Sequence, residues 1–245
     1  MSGHSKWHNI QVRKGKQDKM RANVFTKMAR LITIAARAGG GDPDANFALR
    51  LAIEKARAAN TPKDNIERAI KRGTGELADS AALEEILYEG FAPGGAAVLV
   101  EAVTDNKTRT VSDLKHIFAN HGGALAGPGN VQWQFERQGV VRLGLDEKSK
   151  IKDQRSDFEL KLIEAGADDL VESEYGLEIL CPVDKLQSIL GVIKSLQLQP
   201  DDSGIEWVAK EAIKVEPALA LQVEKLVEAL DANDDVKAVY TNANF

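Results

Sequence analysis

The residues best equipped to do chemistry in this sequence are cations, and they crowd its beginning. Lys6, Arg13, Lys14, Lys16, Lys19, Arg21, Lys27, Arg30 and Arg37 fall within 32 consecutive positions that hold a single acid, Asp18. A run of lysine and arginine almost free of acids is suited to one task above others. It meets phosphates and releases their condensed counterions. Trp7 stands among these cations without an apolar neighbourhood to join, so its ring is available to stack on an unpaired base. A second group, Lys63, Arg68, Lys71 and Arg72, recurs further on. Glu67 and Asp64 stand at helical spacing to some of them, so this group reads equally as an ordinary solvated face.

The charge balance of the whole chain hides this concentration. The 245 residues carry 32 Lys and Arg against 37 Asp and Glu, a formal net charge of −5. Residues 1–75 hold 16 of the cations and 6 of the acids, whereas residues 76–245 hold 16 cations and 31 acids. A polyanion is therefore expected as partner of the first third only, and the remainder would repel it. The expected partner is nucleic acid, either DNA or ribosomal RNA.

Other chemistries find little support. His4 and His8 are four apart and His116 and His121 five apart, but no cysteine or acid cluster completes a metal shell. Gly39-Gly40-Gly41 follows a helical pattern, whereas a phosphate loop follows a strand and ends in Gly-Lys-Ser/Thr. Gly94-Gly95 and Gly127-Pro128-Gly129 read as turns. No Gly-x-Ser-x-Gly and no Ser/His/Asp grouping is present, and the acids of 146–178 read as a solvated surface. The expectation is no enzyme, no catalytic residue, no metal, no cofactor and no small-molecule substrate. The one cysteine, Cys181, allows no intrachain disulfide and reads as a buried apolar residue. No run approaches the roughly 20 apolar residues of a membrane helix, and residues 1–16 lack the apolar core of a secretory signal. A cytoplasmic protein, monomeric and without a membrane partner, is expected.

The elements that must position these groups follow from periodicity. Few bulky apolar residues precede Met20, so residues 1–20 read as an arm. Ala22 to Ala38 reads as a helix whose stripe is Phe25, Met28, Leu31, Ile32 and Ala35, with Lys27, Arg30 and Arg37 on the other side. Asp42-Pro43 and Thr61-Pro62 read as the openings of two further helices, stopped at Asn60 and Gly73. After a linker, residues 85–91 and 96–104 read as a hairpin, 110–120 as a helix, and Val131, Trp133 and Phe135 as the inward positions of a strand. Then come a strand at 140–145, a helix at 157–165, a hairpin of 169–174 and 177–182, a helix at 186–196 and a strand at 205–213. That is the split β-α-β order of ferredoxin-like domains. A helix at 218–230 and a strand at 236–241 would complete the first β-β-α-β. The expected class is α+β, a three-helix bundle plus two ferredoxin-like α/β domains. The divisions are 1–79 for arm and bundle, 80–137 with 216–245 for the second domain, and 138–215 for a third domain inserted into it.

Long stretches of this sequence are similar to the YebC/PmpR family. They are Gly3-His4-Ser5-Lys6-Trp7 with Asn9-Ile10, Arg13-Lys14 and Gln17-Asp18; Phe25-Thr26-Lys27; Ala35-Ala36-Arg37 through Gly39-Gly40-Gly41-Asp42-Pro43; and Pro62-Lys63-Asp64-Asn65-Ile66-Glu67-Arg68-Ala69-Ile70. Tyr88-Glu89-Gly90-Phe91-Ala92-Pro93-Gly94-Gly95 and Thr104-Asp105-Asn106-Lys107-Thr108-Arg109-Thr110 also match. Ala124 and Ala126 depart from the pattern, where a polar residue and a glycine are expected. The resemblance implies three domains in the order just read and a role in gene expression. Bacterial members are described as probable DNA-binding transcriptional regulators. A mitochondrial relative activates translation of a cytochrome oxidase subunit, and some bacterial members resemble ribosome-associated factors that ease difficult peptide bonds.

Overall fold

A computed structural model describes residues 21–77, 83–151, 155–173 and 175–244. Three helices come first: α1 (Arg21–Gly39), α2 (Phe47–Ala58) and α3 (Lys63–Gly73). Their apolar stripes meet in one core of Ile32, Ala35, Ala36, Leu49, Ile53, Ala56, Ile66 and Ala69. The packing is close because the contact residues are small. A side chain at Gly73 would come within 2.4 Å of the Thr33 carbonyl. Thr33 itself is buried and donates its hydroxyl to the carbonyls of Ala29 (2.8 Å) and Ala69 (3.1 Å), which ties α1 to α3.

The second helix opens four residues later than Asp42-Pro43 suggests. Asn46 is the N-cap: its side-chain oxygen accepts from the Leu49 amide at 3.1 Å, and its Nδ2 donates to the carbonyls of Ala35 and Gly40, both at 2.8 Å. One buried amide thus serves the end of α1 and the start of α2, which Asp42 could not do. The third helix does begin after Thr61-Pro62, but Pro62 is its N-cap. The Thr61 hydroxyl is buried with no hydrogen-bond partner among the described residues instead of capping the helix.

Two four-stranded sheets follow. The first contains β1 (Glu84–Phe91), β2 (Ala97–Thr104) and, after α4 (Lys107–Asn120), the short β3 (Ala124–Ala126). The second contains β4 (Phe135–Gly144), then α5 (Leu145–Lys150) and α6 (Arg155–Glu164), β5 (Asp169–Ser173), β6 (Gly176–Cys181), α7 (Leu186–Ser195) and β7 (Asp202–Ala209). Its strand order is β5-β6-β4-β7, antiparallel throughout, which is the ferredoxin-like arrangement. The chain then runs through β8 (Ile213–Lys214), α8 (Pro217–Asp231), β9 (Val236–Thr241) and β10 (Ala243–Asn244). Strand β9 returns to the first sheet, whose order is β3-β1-β2-β9. Helices α4 and α8 cover one face of it through Leu114, Phe118, Val223, Leu226, Val227 and Leu230. The other face carries Ala97, Leu99 and Tyr240 against Val131, Phe135 and Ala209, at the join with the second sheet.

The strand expected over 131–135 is absent. Val131 and Phe135 are buried as the alternation requires, but Gln132–Gln134 form a 3-10 turn and Trp133 is 67% exposed. The reason is Glu89, whose carboxylate takes the backbone N–H groups of Val131 and Gln132 that a strand ladder would need. β3 supplies the third strand instead. β4 begins at Phe135, so the boundary drawn between 137 and 138 falls inside a strand. The run 205–213 splits, its end pairing as β8 with β10 rather than continuing β7.

Candidate nucleic-acid interface

Of the candidate cations, Lys6, Arg13, Lys14, Lys16 and Lys19, together with Trp7, lie outside the described residues; Arg21 opens α1, with its side chain also outside them. Three others have partners within the protein. Lys27 donates to the carbonyl of Asp231 and stands 3.5 Å from its carboxylate. Arg30 pairs with Asp235 at 2.7 Å and donates to the carbonyls of Asp234 and Val103. Arg37 donates to the Leu83 carbonyl at 2.8 Å. The side of α1 that looked solvent-facing by periodicity is the side that docks on the first sheet and the end of α8. Periodicity finds the face packed on the bundle; it is blind to a second, polar packing face.

The four cations of α3 are placed otherwise. Lys63, Arg68, Lys71 and Arg72 are all exposed. Lys63 stands 3.5 Å from Glu67 one turn on, an exposed pair contributing at most about 0.5 kcal/mol. Arg68, Lys71 and Arg72 have no side-chain partner among the described residues. At about 100° per residue the four spread over roughly half the helix circumference, opposite Ile66, Ala69 and Gly73. Arg57, a further exposed cation, stands in the last turn of α2, just before the α2–α3 turn. Its one-in-three spacing with acidic Glu54 gave no signal in the sequence.

The docking of α1 centres on Asp235, which is 4% exposed. Its carboxylate accepts from Arg30, from Arg109 Nη2 (2.9 Å), from the Thr110 hydroxyl (2.7 Å) and from the Thr104 hydroxyl (3.2 Å). Burial pushes this carboxyl up, but the hydrogen bonds from Thr110, Arg109 and Arg30 outweigh it and hold it below the usual carboxylate range. The Thr104–Thr110 stretch, quoted above for its resemblance alone, thus builds a receptor for an arginine of the bundle.

The bundle also meets the second sheet. Leu51 and Phe47 join its core, and Lys55 pairs with Asp202 at 3.0 Å. Asp202 borders a buried network in which Arg142 bonds Glu178 (2.7 Å) and both oxygens of Glu206 (2.7 and 2.8 Å). Burial opposes the charge on Arg142, yet Glu206 and Glu178 raise its affinity for the proton still further. Among the described residues no group of three or more His, Cys, Asp or Glu is placed to hold a metal ion, and no helix is long and apolar enough to cross a membrane. Cys181 is buried, and burial pushes its thiol up to about 11.

Comparison with known proteins covers both parts of the molecule. Residues 5–76 match the model of the TACO1/YebC protein N-terminal domain, and residues 83–243 that of the TACO1/YebC second and third domain. The chain is 47% identical over 243 residues to a protein of Chloroflexus aurantiacus, covering 99% of this chain and 95% of the relative. It is 44% identical over 242 residues to one of Syntrophus aciditrophicus, with the same coverage. Both are described as probable transcriptional regulatory proteins. A crystal structure of a conserved hypothetical protein from Aquifex aeolicus superposes with a TM-score of 0.83 at 38% identity, over 93% of this chain and 91% of that one.

Proposed function

We propose, from the premise that this chain belongs to the TACO1/YebC family, that it is a non-enzymatic, nucleic-acid-binding regulator of gene expression. The observation that carries this reading is the exposed face of α3. Arg68, Lys71 and Arg72 are spent on no described partner, on a bundle in which Lys27, Arg30, Arg37 and Lys55 are spent on holding it to an acidic body and Arg50 on the turn before α2. Phosphate contact is the chemistry those guanidinium and ammonium groups fit. Together with the cations of residues 1–20, Arg21 and Lys63, they form the contact set. The division into arm and bundle, a second domain and a third domain inserted in it is supported by β9 pairing in the first sheet. The relatives' descriptions favour transcription, for which the target would be duplex DNA. A second reading, RNA on the ribosome, is favoured by the spread of the α3 cations around the helix. A base reader would collect its side chains near the helix N-terminus, where Asp64 stands here.

The test is a titration of the full chain with labelled duplex DNA and with ribosomal RNA over a range of salt. The triple variant R68E/K71E/R72E should bind both more weakly and flatten the plot of log affinity against log salt by roughly 0.7–0.9 per lost phosphate contact. An unchanged slope removes α3 from the interface. Retention of sequence-dependent duplex affinity against competitor DNA selects the transcriptional reading; co-sedimentation with ribosomes selects the other.

A further inference from the structure

The 3-10 turn at Gln132–Gln134 is built more firmly than its length requires. Glu89 is buried beneath it, and its carboxylate accepts from the backbone N–H groups of Gly129 (2.6 Å), Val131 (2.6 Å) and Gln132 (3.0 Å). Buried Val131 and Phe135 anchor the two ends. The Trp133 indole donates to the Asn130 carbonyl at 3.0 Å, and Lys210 Nζ donates to the Trp133 carbonyl at 3.0 Å. The product of these bonds is a ring held in one place with two-thirds of its surface in water. Among the described residues, the indole N–H bond to Asn130 is the only hydrogen bond the ring makes.

We propose that Trp133 is a stacking platform for an unpaired nucleobase, at a site separate from the α3 face. With Nε1 already bonded, the ring offers a ligand its flat face and no free polar atom. A base is bound that way, and fixing the ring beforehand removes most of the ordering cost of binding. Gln132 is exposed beside it, and an amide can bond a base edge. The body as a whole is acidic, which argues for a cationic partner instead. Local charge decides otherwise. Of the charged groups bonded to this turn, Glu89 is buried with both oxygens occupied by N–H donors, whereas Lys210 is exposed at the surface of the turn. Charges beyond about 8 Å are largely screened at physiological salt. Lys210, bonded to the Trp133 carbonyl, sets a cation at the turn itself, where the exposed carboxylates of Glu136 and Glu211, near in sequence, make no bond to it.

This inference rests on the nucleic-acid reading above and names the state of its target, single-stranded at this point. The test compares wild type, W133A and W133F, as full chains, on three probes of equal length: an oligouridylate, the same backbone with abasic positions, and a duplex. W133A should bind the oligouridylate about tenfold more weakly, with W133F between. Affinity for the abasic strand and the duplex should not move, and quenching of indole fluorescence by the oligouridylate should shrink in W133F. Because Trp133 is exposed, all three proteins should melt alike. Equal binding of oligouridylate by W133A and wild type overturns the platform while leaving the phosphate-binding reading intact. Failure of wild type to bind any of the three overturns both. Trp133-dependent binding of an arginine-rich peptide, with oligouridylate affinity unmoved by W133A, overturns the platform in favour of a cationic protein partner.

Discussion

Replacing Asp235 with alanine should loosen the bundle from the body, and the size of the effect follows from what each partner does next. Four groups lose an acceptor: Arg30, Arg109, Thr104 and Thr110. None is left stranded. Thr104 keeps the Thr110 hydroxyl at 2.8 Å, Thr110 keeps the Asn106 carbonyl at 3.0 Å, and Arg109, nearly half exposed, keeps Asp105 at 2.9 Å. Arg30 keeps the Asp234 and Val103 carbonyls. The loss is therefore below the 3–5 kcal/mol typical of breaking a fully buried pair, at about 2–3 kcal/mol. For a chain of this length that is roughly 5–10 °C in the melting transition of the first sheet. The substitution also disturbs that sheet internally, so the docking contribution needs a double-mutant cycle with Arg30→Ala, read by denaturant unfolding. A coupling of about 1–2 kcal/mol between the two positions is expected. Additivity within about 0.5 kcal/mol would refute the assignment of Arg30 and Asp235 as a docking pair.

Three further outcomes are expected. Arg142→Met should destabilise by about 3–5 kcal/mol because Glu178 and Glu206 stay buried without their counter-charge, and adding Glu178→Leu and Glu206→Leu should recover much of it; chemical denaturation measures both. Glu89→Gln should cost about 1–3 kcal/mol by weakening three charge-assisted bonds. Burial raises the Glu89 carboxyl, but the backbone N–H groups of Val131, Gly129 and Gln132 bring it below its ordinary value. Its stability contribution is thus present above the unfolded pKa of about 4 and lost as pH falls through the lower folded value, so the variant should flatten the acid limb of a pH–stability curve. Cys181, with its thiol raised to about 11, should resist iodoacetamide at pH 8 in the native protein and react freely in guanidinium; equal rates would contradict its burial.

What the sequence made legible was whatever a single apolar period encodes. The helices of the bundle, the hairpin of β1 and β2, and the β-α-β-β-α-β order of the second sheet all follow from such periods. The failures share a different cause, a polar side chain acting on distant backbone. Asn46 moved a helix start by joining two chain ends, and Glu89 cancelled a strand by capturing its N–H groups. The candidate site divided along the same line. Lys27, Arg30 and Lys63 are alike as sequence, and only the position of Asp231 and Asp235, some 200 residues further on, separates docking cations from the exposed one.

The return of β9 to the first sheet sets an order of events in folding. The second sheet closes with partners drawn entirely from 135–209, whereas β2 must wait for 236–241, across every residue in between. Loops that long are slow to close. We expect the β4–β7 unit to gain amide protection first in a pulse-labelled refolding experiment, and the β2 amides that face β9, rather than those bonded to β1, to gain it last, together with β9. Simultaneous protection of both sheets would contradict that sequence. Until β9 arrives, the edge of β2 lies open, and in that interval a newly made chain is at greatest risk of pairing with its neighbour.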